Sequence, residues 1–126
     1  MLPCSQFIYR SVLGSLAAWC LDTFGDDAPM LIGVRLGDER AGFHPVQLGD
    51  IDPVEDLAGL RAPDDWDAAV VVVPAQQAHG ARISGVLAHA VDRNSHSATY
   101  LDEPCGHRRA LHAPTGILHD LCLALF

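Results

Sequence analysis

Histidines dominate the residues that could carry chemistry in the second half of this chain. Six of the seven lie after a valine-rich segment, at His79, His89, His96, His107, His112 and His119. A turn at 94–95 would place His89 and His96 on adjacent strands, with Asp92 close by. The next turn would bring Cys105 and His107 towards them. Imidazole, thiolate and carboxylate groups together suit zinc, which takes about four such ligands in a tetrahedron. The candidate metal ligands are His89, Asp92, His96, Cys105 and His107.

Complete catalytic motifs are not found in the sequence. His89 to Asp92 and Pro104 to His107 resemble part of the zinc deaminase signature, H-x-E followed by P-C-x-x-C. Val91 stands where that signature has its catalytic glutamate, and the second cysteine is missing. Scattered solvated or hydrogen-bonded histidines explain the pattern more simply than a metal site does. No nucleophile elbow, phosphate loop or calcium loop occurs, so we predict no catalytic residue and no cofactor, with zinc as the alternative.

A central strand must position these histidines. Ala68 to Pro74 contains four consecutive valines, is too short for a helix and lacks polar alternation, which predicts a strand covered on both faces. Further strands are predicted over 29–36 and 43–48 before it and over 82–92 and 96–102 after it, with turns between them, and residues 108–112 could add a short last strand. Pro45 cannot donate a ladder hydrogen bond, so its strand belongs at a sheet edge.

Three helices complete the predicted elements. The first runs from about Ser5, a possible N-cap, to Phe24, with Gly25 as its stop. A short helix is predicted over 53–60 with Asp52 as its N-cap, and a closing helix over 116–125. The apolar arc of the first helix is wide, because Ile8, Val12, Leu16 and Trp19 form one row and Phe7, Leu13, Cys20 and Leu21 extend it. Such a helix is either covered on more than one side or exposes a patch to a partner.

Closely spaced strands joined by turns predict the fold class. We expect an α+β protein with a mainly antiparallel sheet of about five strands and an N-terminal and a C-terminal helix packed on it. Residues 1–126 are expected to form a single globular domain. In its order of elements the chain is similar to roadblock and longin-like domains, small regulatory modules with an antiparallel sheet between helices. The short helix over 53–60 and a strand near Arg108 depart from that order.

The charge is strongly asymmetric along the chain. The formal net charge is −8, and all of it lies before the valine strand, since acidic and basic residues cancel from Ala68 onward. General nucleic-acid binding and association with an anionic membrane are therefore disfavoured. No basic segment precedes an apolar run at the N-terminus, which favours a cytoplasmic location. Cys20 and Cys122 lie among apolar residues and are expected to be small core residues.

Two functional hypotheses follow from the sequence. The first is a non-enzymatic protein-interaction or regulatory and accessory module that acts as a homodimer or as a subunit, because the first helix has more apolar surface than one sheet face needs. Its acidic first half would favour a basic partner. The alternative is a metal-binding protein or a metal-dependent hydrolase that uses the histidine, cysteine and aspartate residues after the central strand.

Overall fold

The structure, a computed structural model, describes residues 2–36, 41–49, 53–75, 85–94, 96–111, 120, 122 and 124–126. At 2–11, 36, 41, 53 and 54 it describes the backbone alone. The elements are α1 (Leu2–Phe24), a single 3-10 turn (Gly25–Asp27), β1 (Met30–Leu36), β2 (Ala41–Gln47), α2 (Pro53–Ala58), β3 (Ala68–Pro74), β4 (Val86–Asp92), β5 (Ser97–Asp102) and β6 (Arg108–Leu111).

The six strands form one sheet in the order β2-β1-β3-β4-β5-β6, and each neighbouring pair is antiparallel. The predicted α+β class with a mainly antiparallel sheet is confirmed, and so is the inner position of the valine strand β3. Pro45 lies in the edge strand β2, as its missing N–H requires. The expectation of about five strands was one short, because Arg108–Leu111 pairs with β5 along its whole length.

The sheet buries both of its faces, which explains the uninterrupted apolar run in β3. Val70 and Val72 pack with α1 on one face, while Val71 and Val73 pack on the other. Every residue of β3 before Pro74 is buried. A strand buried on both sides has no solvent face to show as polar alternation.

Helix α1 covers the first face and packs mainly on β3, β4 and β5. It begins at Leu2, so Ser5 lies inside the helix and the predicted N-cap there was wrong. It ends at Phe24, directly before Gly25, as predicted. Its core-facing side chains are Leu13, Leu16, Ala17, Cys20 and Leu21.

The second face is closed by α2, by Trp66 and by the chain end. The ring of Trp66 lies against Gly33 of β1, where even one added carbon would overlap it. Arg93 binds this cover together, because its guanidinium donates to the backbone carbonyls of Pro63 and Trp66 and lies 4.9 Å from the ring centre of Phe126.

Several predictions lie partly or wholly outside the described residues. Asp52, the expected cap of α2, is outside them, and so are residues 82–84 of the strand predicted over 82–92 and residue 112 of the strand predicted over 108–112. The closing helix over 116–125 is described only at Asp120, Cys122 and Ala124, which are helical, and at Leu125. Cys122 is buried in the core of the second face, and Cys20 is buried between α1 and the first face, so the prediction that both are core residues is confirmed.

Candidate functional site

His89, the first predicted metal ligand, lies in the middle of β4 with its side chain completely buried. By the alternation of β4 it shares the second face with Leu87 and Val91. Its Nδ1 is 2.6 Å from Oγ1 of Thr99, its partner across the strand pair, which is a hydrogen bond. This contact satisfies a polar side chain in an apolar core.

Asp92 and His96 are the predicted ligands that the structure does bring together. Asp92 ends β4 on the opposite face from His89, and one of its carboxylate oxygens accepts the backbone N–H groups of Asn94 and His96 at 2.8 and 2.9 Å. The other oxygen is 2.9 Å from Nδ1 of His96. Since both oxygens of the carboxylate already hold the β4–β5 turn, this pair acts as a structural element of the hairpin.

Cys105 and His107 are exposed in the β5–β6 turn. The strand register places that turn beside Val86, at the opposite end of β4 from Asp92. The two ends are separated by about 20 Å, the length of six strand steps. Among residues the structure describes, no group of three or more histidine, cysteine, aspartate or glutamate side chains could hold a metal ion. His79, His112 and His119 lie outside those residues.

An apolar groove runs along one flank of α1, and we call it the Trp19 groove. It has a volume of about 340 Å³, and the described side chains that line it are Val12, Ser15, Leu16 and Trp19. Trp19 is 41 % exposed, and no other large apolar side chain among the described ones is comparably exposed. Its indole stacks on Phe43 with ring centres 4.4 Å apart and meets the edge of Phe24 at 5.8 Å.

Helical spacing and sheet register together create this groove. Val12 and Trp19 are seven residues apart and therefore lie on the same side of α1. Phe43 is paired with Val34, so it faces the same side of the sheet as α1. All of the described lining of the groove belongs to α1, and its Trp19 end reaches the edge strand β2 through the stacked ring of Phe43.

The opposite flank of α1 is held to the sheet by ion pairs and hydrogen bonds. Arg108 of β6 donates to Asp102 and Asp22 at 2.6 Å each, and to the carbonyl of Ala18 at 3.3 Å. The hydrogen bond from Arg108 lowers the pKa of Asp22 below its ordinary value. This cluster connects the helix to both final strands, and its polar groups are engaged with one another.

Two acidic side chains follow the C-terminal end of α1, just after Phe24, whose ring contacts Trp19. Asp26 and Asp27 are exposed in the 3-10 turn that follows α1, and no ion pair of either carboxylate is found among the described residues. The side-chain amide of Gln47 donates to the carbonyls of Pro29 and Asp27, at 2.7 and 3.4 Å, and so holds this turn against the end of β2. The acidic pair thus lies where α1 and β2 come together.

Sequence reasoning found part of this groove and missed the rest. It placed Val12, Leu16 and Trp19 in one apolar row of a helix with too much apolar surface. It did not identify Phe43, although the alternation of an edge strand around Pro45 puts residues 43 and 45 on one face. The apolar row of the helix does not indicate which of its sides packs on the sheet.

Comparison with protein-family models, with curated proteins and with solved structures finds no match to this chain. In the part of the chain that is described, no helix combines the length and the apolar character needed to cross a bilayer.

Proposed function

We propose that this protein acts by binding another protein through the Trp19 groove, either as a homodimer or as an accessory subunit. The observation that carries the proposal is the exposed indole of Trp19 in an apolar groove. Tryptophan is enriched at the centres of protein interfaces, where it supplies a large apolar area and one polar N–H. Leaving it 41 % exposed is unfavourable unless a partner covers it.

The lining of the groove has the chemistry of a contact surface. It is lined by apolar side chains with one serine hydroxyl, and no titratable side chain is among its described lining. A catalytic site would need convergent acid, base or nucleophilic groups, so the groove supports binding better than chemistry.

Light scattering coupled to gel filtration tests the homodimer form. If a second copy fills the groove, the protein is a dimer in the micromolar range, and Trp19→Ala converts it to a monomer. Site-specific photo-cross-linking tests the subunit form, with benzoylphenylalanine introduced in place of Trp19. The matched control places the same residue at Asp64, which is exposed on the other side of the sheet. A cross-linked partner at position 19 and none at position 64 supports the proposal.

A monomer that gives no cross-link from position 19 in its own cells would refute the proposed function. The circular dichroism spectrum of each variant establishes that it is folded, so that lost association is not mistaken for lost structure.

Metal binding stays a second prediction. Asp92 and His96 are the predicted ligands that lie in contact and are of two types that zinc uses, although their contact already holds the β4–β5 turn. Elemental analysis of protein purified without a histidine tag is the direct measurement. Zinc, iron or manganese at near-stoichiometric level would support a metal site, and Asp92→Asn should then remove the metal.

A further inference from the structure

We infer that the partner of the Trp19 groove is a different protein, one that inserts an apolar helix flanked by lysine or arginine side chains. This inference rests on the proposed function and specifies its partner. Three properties of the described surface carry it: the apolar lining of the groove, the edge strand that Trp19 contacts through Phe43, and the acidic pair in the turn that follows α1.

The lining calls for apolar side chains of a partner. Val12, Leu16 and Trp19 present carbon surface, and Ser15 and Trp19 are exposed along the wall, so the groove is open to solvent. Its volume of about 340 Å³ is at the lower limit for pockets that enclose small ligands, and it is not enclosed. It therefore suits a few side chains that project from another protein.

The edge strand favours a helix over an added strand. A partner strand would have to pair with β2, where Pro45 offers no backbone N–H. An amphipathic helix needs no backbone pairing, because it places residues spaced three and four apart into a groove. The groove beside β2 can therefore receive a helix where it would resist β-augmentation.

The charge that follows α1 favours a basic partner. Asp26 and Asp27 are exposed in the turn directly after Phe24, whose ring lies 5.8 Å from that of Trp19, while Arg108, on the far flank of α1, is already engaged by Asp22 and Asp102. Lysine or arginine beside the apolar residues of a helix would meet this acidic pair and gain complementary charge.

A second copy of the chain is less suited to the same surface. It would bring another acidic pair and a net charge of −8 to a surface that is itself acidic. Like charges brought together at an interface are unfavourable, which disfavours self-association here relative to a basic partner.

Two designed helical peptides test this inference. Both are about 18 residues long, five helical turns, with the same leucine row. One carries lysine at the flanking positions and the other carries glutamate. Each is labelled with fluorescein, and its binding to the full chain is followed by fluorescence anisotropy at physiological ionic strength, where charges more than about 8 Å apart are largely screened.

We expect the lysine peptide to bind at least about tenfold more tightly than the glutamate peptide. Asp26→Asn with Asp27→Asn should abolish most of that difference. The control, Asp64→Asn with Asp65→Asn, removes the same number of carboxylates from the segment beside Trp66, including the one that pairs with Arg35, and should preserve the difference. Ser15→Lys should weaken the lysine peptide, and Ser15→Glu should strengthen it, because position 15 is on the groove wall.

The failures of the two proposals are distinguishable. Equal binding of both peptides, or equal effects of the two aspartate pairs, would overturn the basic partner and leave the groove as a binding surface. Absence of peptide binding together with a dimer that Trp19→Ala dissociates would identify a second copy as the occupant and also overturn this inference. Absence of peptide binding from a monomer that gives no cross-link at position 19 would overturn the proposed function as well.

Discussion

The two tryptophans of this protein lie on opposite faces of the same sheet and have opposite environments. Trp66 is 7 % exposed and lies against Gly33, under a cover that Arg93 fastens. Trp19 is 41 % exposed and stacks on Phe43 at the sheet edge. The first completes a core, while the second forms the wall of a groove. The comparison shows that an aromatic residue contributes to folding or remains available for binding according to what surrounds it.

The covers of the two faces explain this difference. The second face is closed by several short segments that interlock around Trp66 and the chain end. The first face is covered by one straight helix over β3, β4 and β5, and a single helix is too narrow to cover all six strands. The uncovered part lies beside β2, and it is there that Trp19 is exposed.

The largest expected effect on stability comes from removing Trp66, and removing Trp19 is the comparison. Trp66→Ala should lower the free energy of unfolding by about 3–5 kcal/mol, because it leaves a cavity above Gly33. Trp19→Ala should cost about 1 kcal/mol, mainly the lost stacking on Phe43. Urea denaturation followed by circular dichroism measures both. Equal losses would contradict the assignment of one tryptophan to the core and the other to an open surface.

A smaller effect is expected at the glycine under Trp66. Gly33→Ala would place a methyl group inside the volume of the indole ring and should cost about 1–3 kcal/mol as the two move apart. The fluorescence emission maximum of Trp66 should shift as its packing changes. The measurement is made in a Trp19→Phe background, in which Trp66 is the one remaining tryptophan. An unchanged stability would mean that Trp66 is not packed on Gly33.

A gain of stability is expected at a glycine of the first face, where α1 packs on β5. Gly14 lies inside α1, and a β-carbon there would be 3.5 Å from the hydroxyl oxygen of Tyr100, an ordinary contact. Gly14→Ala should therefore stabilise the protein by about 0.5–1 kcal/mol through helix propensity alone. Thermal unfolding measures it, and a loss of stability would show that α1 sits closer to β5 than the structure indicates.

The smallest effect is the pH dependence at the fastened flank of α1. The hydrogen bond from Arg108 lowers the pKa of Asp22. A lowered carboxyl pKa stabilises the fold at pH values above the ordinary aspartate pKa, and this stabilisation is lost as the pH falls through the lowered value. Arg108→Gln should raise the pKa of Asp22 toward its ordinary value in an NMR titration. An unchanged pKa of Asp22 in the variant would show that Arg108 does not cause the lowering.

Much of the fold could be predicted because local signals determine it. The valines of β3 require burial on both sides, Pro45 requires an edge, and the turn after Asp92 closes a hairpin through the carboxylate of that residue. The start of α1 was missed because Ser5 can cap a helix but does not have to, and here the helix continues to Leu2.

The metal hypothesis shows the limit of proximity in sequence. His89 and Asp92 are three residues apart in one strand, so the pleat turns them to opposite faces of the sheet. Cys105 and His107 follow β5 and are carried to the far end of the hairpin. Local spacing therefore predicted the contact between Asp92 and His96, within a single turn, better than the longer-range convergence.

The sequence by itself determined the strands, the wide apolar arc of the first helix and the acidic character of the first half. These properties depend on residue type and on periods of two and 3.6, which are fixed by the backbone. Only the tertiary structure decided which part of the arc is core and which part is the Trp19 groove. That choice depends on where the helix crosses the sheet, and the crossing is set by packing between segments far apart in the chain.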